Sequence, residues 1–297
     1  MTYTLLGFAA GRPVVWLALS ESGGAYAEAA EAIRAELQHG SSTAEIVAAP
    51  WRELNGQPEP APRLVVAIGV AALRGMQESG RPLPLLATLV PRAVWAGSAA
   101  ASPSGRPQSA VWLDQPVSRQ FDLLRLAMPS RLRVGVLLGP DSRIFESDLQ
   151  RTATERNMSA IAARTDGVES LSAVLQHVLE DADVLLALAD PHVYNGATIQ
   201  NILTSAYRRR IPLAGFSPTY VKAGALLALY STPAQVGTQA GEIVRAYLMG
   251  RPLPPAQGPR DFSISVNTDV ARSLGISIEP DAAAKWSEQL HAKERGQ

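Results

Sequence analysis

Apolar and polar positions alternate along this chain in short blocks that switch period. "VVWLAL" (Val14 to Leu19), "LVVAIG" (Leu64 to Gly69), "LPLLATLV", "RVGVLLG" and "DVLLALAD" are continuous apolar runs of strand length. Between them lie stretches with helical spacing. In "VESLSAVLQHVLED" the residues Leu171, Val174, Leu175, Val178 and Leu179 fall on one face, and Val236, Ala240, Ile243, Val244, Tyr247 and Leu248 mark another. "GAYAEAAEAIRAEL" is built from strong helix formers. "VSRQFDLLRLAMP" predicts a helix stopped by Pro129, and "DSRIFESDLQRTATERN" one capped by Asp141 or Ser142. "VYNGATIQNILTSAYRRR" predicts a further helix, "PTYVKAG" a short one, and the tail from Asp281 a polar terminal one. Loops are expected at "NGQPEPAPR" and, as a mobile segment, at "AGSAAASPSGRPQS" (Ala96 to Ser109).

Runs buried on both faces, alternating with helices, predict the α/β class: parallel sheets with helices on both sides. About a dozen strands suit two Rossmann-like lobes better than one open sheet. The length, 297 residues, agrees with two domains. In such sheets ligands sit beyond the carboxyl ends of the strands, so the residues there become the candidates.

Those residues are Ser20 after the first strand, Gly69, Val70 and Ala71 after "VVAIG", and Thr88 in "LPLLAT". In the second half they are Ser142 after "VGVLLGP", Asp190 after "VLLALA", and Phe216, Ser217 and Tyr220 after "IPLAG". Backbone N–H groups at Gly69 to Ala71 would offer a carboxylate a helix start. Asp190 would take an amino group, and Phe216 and Tyr220 an apolar or flat group. Together these describe a small-molecule cleft. The competing reading stays open for each position. Ser, Thr and Asp after a strand are common helix caps, and Gly69 would serve a tight turn.

Composition removes several classes of function. Lys+Arg and Asp+Glu are 27 each, so the formal charge is zero, and no basic run exists to hold nucleic acid. The chain has no cysteine, which excludes thiol catalysis, disulfides and cysteine-bound metal. His39, His177, His192 and His291 lack ligand spacing. No nucleophile elbow, phosphate-binding loop or dinucleotide fingerprint occurs. No catalytic residue, metal or cofactor is therefore expected, and an α/β enzyme is the least favoured class. The apolar runs are too short to span a membrane. "MTYTLLGFAAGRP" lacks the basic start of a signal peptide, so either the protein is cytoplasmic or a native leader has been removed.

From about Val111 to Pro280 the chain resembles the ABC-transporter substrate-binding proteins of the tryptophan/tyrosine-binding type. The segments that carry the resemblance are "RVGVLLGPDS", "DADVLLALADPHV", "RRRIPLAGFSPTYVKAGALLALYSTPAQVGTQAGEIVRAYLMGRPLP" and "VNTDVARSLGISI". "VVAIGVAAL" and "FDLLRLAMP" extend it more loosely to the first half. The resemblance implies a type I periplasmic-binding-protein fold with three hinge crossings, near Leu113 to Pro116, Tyr230 to Pro233 and Phe262 to Asn267. Residues 13–114 plus 231–262 would form lobe I, and 115–230 plus 263–297 lobe II. It implies a periplasmic monomer that captures a small molecule, an amino acid or related small carboxylate, between the lobes and presents it to an ABC permease of the inner membrane. Val90 stands before Pro91 where the family commonly has Asp, and "LGPDSRIF" replaces an Asn-Pro-rich loop. Another solute, or a stand-alone ligand sensor of the same fold acting on a signalling partner, therefore stays open.

Overall fold

The computed structural model describes residues 12–39, 44–56, 61–100 and 105–296. The leader expectation for residues 1–11, and parts of the two loop expectations at 57–60 and 101–104, lie outside the described residues. In chain order the elements are β1 (Val14–Leu19), α1 (Gly24–Gln38), β2 (Glu45–Pro50), α2 (Trp51–Asn55), β3 (Leu64–Ile68), α3 (Val70–Glu78), β4 (Leu85–Val90), α4 (Arg92–Ala100) and β5 (Gln108–Trp112). Next come α5 (Val117–Ala127), β6 (Arg133–Leu138), α6 (Glu146–Glu155), β7 (Ser159–Arg164), α7 (Val168–Asp181), β8 (Val184–Leu186), α8 (Ile199–Arg208), β9 (Leu213–Gly215), α9 (Pro218–Ala223) and β10 (Leu227–Tyr230). α10 (Pro233–Leu248), β11 (Ser263–Val266), α11 (Thr268–Ser273) and α12 (Ala282–Arg295) complete the chain.

Two compact units result. One holds the chain up to Val90, Gly97–Trp112 and Pro233–Gln257; the other holds Pro91–Ala96, Leu113–Thr232 and the chain from Gly258. The first unit has a five-stranded sheet in the order β2-β1-β3-β4-β5, parallel throughout. β1 and β3 are buried along their whole length, because helices cover both faces. On one face Val15, Leu17, Val66 and Leu86 meet Ile33 of α1 and Val236, Ala240 and Val244 of α10. Trp16, Leu73 and Met76 are buried on the other side.

α10 sits very close to α1. A Cβ at Gly237 would lie 2.5 Å from the Ala29 carbonyl oxygen and 2.9 Å from Ala32 Cβ, and one at Gly241 2.7 Å from Glu36 Cβ. Small residues four apart set this spacing, and Arg245 pairs with Glu36 at 2.8 Å beside it.

The second unit has a six-stranded sheet in the order β11-β10-β9-β8-β6-β7. Alternate residues feed two cores. Val134, Val136, Leu186 and Leu227 pack with Phe121, Leu149 and Trp286. Leu137, Leu185 and Leu213 pack with Leu175, Val178 and Ile202.

Four local expectations need correction. β11 runs antiparallel to β10; the helix between them, α10, belongs to the first unit, so no crossover helix within the second unit joins the two strands. Residues 96–100 of the expected mobile loop continue α4, where alanine favours helix despite the small, polar look of the segment. The helix expected from Asp141 starts as a 3-10 turn at Arg143–Phe145, and Ser142 makes no side-chain cap to it. The helix expected from Val193 begins only at Ile199, because Asn195 and Thr198 tie 193–198 into turns.

Among the described residues no helix is long and apolar enough to cross a membrane. None of the His, Asp and Glu side chains among them gather in a group that would hold a metal.

Apart from the segment 91–96, the chain passes between units after Trp112, Thr232 and Gln257. The third passage precedes the expected Phe262 to Asn267. Gln257 is still tied to the first unit by hydrogen bonds with Ala110 and Trp112, whereas Phe262 is buried in the second.

Candidate functional site

In the first unit β1, β3 and β4 are neighbours and parallel, so their carboxyl ends share one edge. The Ser20 amide donates to the Ile68 carbonyl at 3.0 Å and the Gly69 amide to the Thr88 carbonyl at 2.8 Å. Ser20 Oγ then accepts from the Ala72 amide at 3.0 Å. A hydroxyl from one strand end thus caps the helix that follows the next strand, because Gly69, at the cap position itself, has no side chain.

Gly69 has φ +93°, and a Cβ there would come within 2.5 Å of both Ser20 Oγ and Tyr26 Cε1. Only glycine fits. The Val70 and Ala71 amides are the first two of α3 and have no helical acceptor. No other acceptor serves them among the described residues, and Ala71 is exposed. The amide group expected at Gly69 is already committed to Thr88. Thr88 itself is fully buried with an unpartnered hydroxyl, so it lies behind the edge. Just beyond it, Leu89 has φ +53° and the strand register shifts.

In the second unit the corresponding edge is formed by β6, β8 and β9, again adjacent and parallel. Asp190 follows β8 and is 1% exposed. Its Oδ2 accepts from the Asp141 amide (3.0 Å), the Ser142 amide (2.9 Å) and Ser142 Oγ (2.8 Å); its Oδ1 accepts from the His192 amide at 2.9 Å. This departs from the expectation of a carboxylate open to an ammonium. Asp190 and Ser142 bind each other and clamp the β6 loop, and the Gly139 amide donates to Ser142 Oγ at 2.9 Å. Gly139 must lack a side chain, since a Cβ would lie 2.5 Å from Asp190 Oδ2.

Phe216 and Tyr220 form a half-buried wall beyond β9, their ring centroids 4.5 Å apart. Tyr194 supports both from beneath, edge-on, at 6.1 and 6.3 Å. Tyr220 Oη donates to the Tyr194 carbonyl at 3.1 Å. Burial raises the phenol of Tyr220 and raises that of Tyr194 far more, with Tyr220 and Asp190 nearby adding to the latter. Both hydroxyls therefore stay protonated at physiological pH; that of Tyr220 donates, and that of Tyr194 is buried without a partner. Ser217 is extended and precedes Pro218 at the start of α9, with no side-chain cap bond.

Within its own unit, each edge gathers the predicted residues. Ser20, Gly69, Val70 and Ala71 cluster in the first, and Ser142 with Asp190, and Phe216 with Ser217 and Tyr220, in the second. Tyr26, Gly139 and Tyr194 escaped the sequence reading. Tyr194 lies within an apparent helix start, "VYNG", where the Asn-Gly pair was the signal for a turn.

Comparison with known proteins gives consistent results. Residues 23–288 match the family model described as ABC transporter substrate binding protein. No curated protein matches the chain. Among solved structures, a ligand-free, open substrate-binding protein with adhesive properties from Clostridium difficile is 17% identical, with a TM-score of 0.71, over 91% of this chain and 97% of that one. A Streptococcus pneumonia ABC domain in complex with L-Trp is 14% identical, with a TM-score of 0.63, over 93% and 98%. A periplasmic ribose ABC transporter protein from Conexibacter woesei is 13% identical, with a TM-score of 0.57, over 94% and 98%. At these identities the likeness establishes the fold, that of the type I periplasmic binding proteins.

Proposed function

The chain belongs to the ABC transporter substrate binding protein family, and on that premise we propose that it captures an amino acid or a related small carboxylate for an ABC permease of the inner membrane. The family is one of binding proteins, and the chain is not an enzyme. In this reading the protein works in the periplasm. The ligand engages the carboxyl edges of both sheets, and a solute that contacts both favours a closed state.

The observation that carries the carboxylate is the pair of uncommitted amides at Val70 and Ala71. They open the nine-residue helix α3, whose dipole adds to their attraction for an anion. Ser20 and Gly69 hold that helix start in place. Phe216 and Tyr220 supply an apolar wall, and Ser217 a hydroxyl beside it. Asp190 and Ser142 act by fixing the β6 loop.

A thermal-shift screen tests this reading. L-Trp, L-Tyr, small carboxylates and ribose are added at saturation. A ligand at a hundred times its Kd stabilises by about 2.7 kcal/mol, which raises Tm by several degrees for a chain of this size. Val70→Pro then removes one of the two amides at a helix position that tolerates proline. Affinity for the carboxylate should fall about tenfold or more, with the ligand-free Tm unchanged. Stabilisation by ribose and by no carboxylate would overturn the assignment.

A further inference from the structure

Two arginines of α5 differ in what they bind. Arg119 is 4% exposed, and each of its nitrogens has an acceptor. Nε and Nη2 donate to the two carboxylate oxygens of Glu294 on α12, at 2.6 and 2.9 Å. Nη1 donates to Gln115 Oε1 at 2.7 Å and to the Pro259 carbonyl at 3.0 Å. Arg125, further along the helix, is half-buried and makes no hydrogen bond or ion pair among the described residues. Its guanidinium is a fork of N–H donors, and shielding it from water without an acceptor costs free energy.

Arg125 lines a cavity of about 530 Å³ between α5, the end of α6 and α12. Small-molecule pockets run from about 300 to 1,000 Å³. Asp122 lies three and four positions before Arg125 and Leu126 on α5, and Lys293 three and four after Leu290 and Gln289 on α12. Each set therefore shares one helix face. α5 leads into β6 and α6 into β7. The cavity thus lies at the amino edge of the second sheet, opposite the edge that holds Asp190 and Phe216.

The carboxylates of the lining are already committed. Asp122 Oδ1 accepts from Arg156 Nε and Lys293 Nζ, both at 2.7 Å, and its Oδ2 from Arg156 Nη2 at 3.2 Å. These bonds tie the three helices together. Glu155 accepts from Arg151 at 2.8 Å and from Arg156 at 3.3 Å. The lining holds three cations, Arg125, Arg156 and Lys293, against two carboxylates. The cation left over is Arg125, with Leu126 and Leu290 as apolar surface beside it.

We propose that this cavity binds a small organic carboxylate with an apolar body. Arg125 takes the carboxylate as a bidentate fork, and Leu126 and Leu290 meet the body. Lys293 and Arg156 keep their bonds to Asp122 and add attraction at longer range. A molecule held there bridges α5 and α12 and so fastens the terminal helix. The site lies wholly in the second unit and uses neither Val70 nor Ala71, so it stands without the carboxylate reading of α3.

Fluorine NMR with 4-fluorobenzoate tests the site, since the probe joins one carboxylate to a flat apolar body. Its signal should broaden on adding the protein, and the backbone amides of 122–128 and 289–294 should shift. Arg125→Gln should weaken binding by about tenfold or more while the ligand-free Tm stays unchanged, because the side chain has no partner to lose. Arg125→Lys, which keeps the charge but not the fork, should fall between the two. Val70→Pro should leave this binding as it is. The neutral 4-fluorobenzamide needs no variant and should bind about tenfold more weakly or less. Equal binding of the amide, or no broadening at millimolar probe, would sink the proposal. So would a response lost in Val70→Pro and kept in Arg125→Gln, which would put the probe on α3 and support the reading above instead.

Discussion

Four donors converge on the Asp190 carboxylate, and a carboxylate offers about four acceptor sites. A ligand ammonium would have to displace one of them. The same count gives the cost of losing the group. Asp190→Ala would leave the buried amide of Ser142 and the part-buried amides of Asp141 and His192 without their acceptor, and should lower unfolding free energy by about 3 kcal/mol in urea titration. A second carboxylate responds to pH. Burial works to raise the Asp122 carboxyl, but hydrogen bonds and charge from Arg156 and Lys293 outweigh it, and the balance lies below the ordinary 3.8. A folded value below the unfolded one means that its contribution is present above pH 3.8 and is lost as pH falls through the lower folded value. The stability gap between the protein and Asp122→Asn should therefore be constant near neutrality and close in acid below about pH 3.8, as followed by circular dichroism. Sequence placed Asp190 correctly at a strand end, because strand ends follow from apolar runs. It left open what Asp190 binds there, since that depends on a loop some fifty residues away.

Among the elements, α10 is built for contact. Gly237 and Gly241 weaken it as a helix, each by about 1 kcal/mol relative to alanine, yet they let it settle onto α1. On an exposed helix Gly237→Ala would stabilise. Here the added methyl would overlap the Ala29 carbonyl, so the substitution should destabilise by about 1–3 kcal/mol, read as a lowered midpoint in chemical denaturation. The strands of both sheets were legible because buried parallel strands are apolar throughout. α4 was not, since "AGSAAA" has neither apolar period nor a cap. Arg119 was illegible for the opposite reason. It sits in an amphipathic helix and reads as a solvated residue, and what buries it lies 140 to 175 positions further along the chain.

For the whole molecule, the α/β class and the two sheets followed from the alternation of periods, while the orientation of β11 needed the structure. The first unit is assembled from distant parts of the chain, and this shapes how the protein is made. α10 seals the face of α1 that carries Ile33, but the chain from Leu113 to Thr232, about 120 residues of the second unit, separates it from β5. A ribosome adding about 5–20 residues per second leaves that groove open for roughly 6–25 s. During this interval the apolar surface of α1 is the natural landing place for a chaperone, or for α10 of a neighbouring nascent chain.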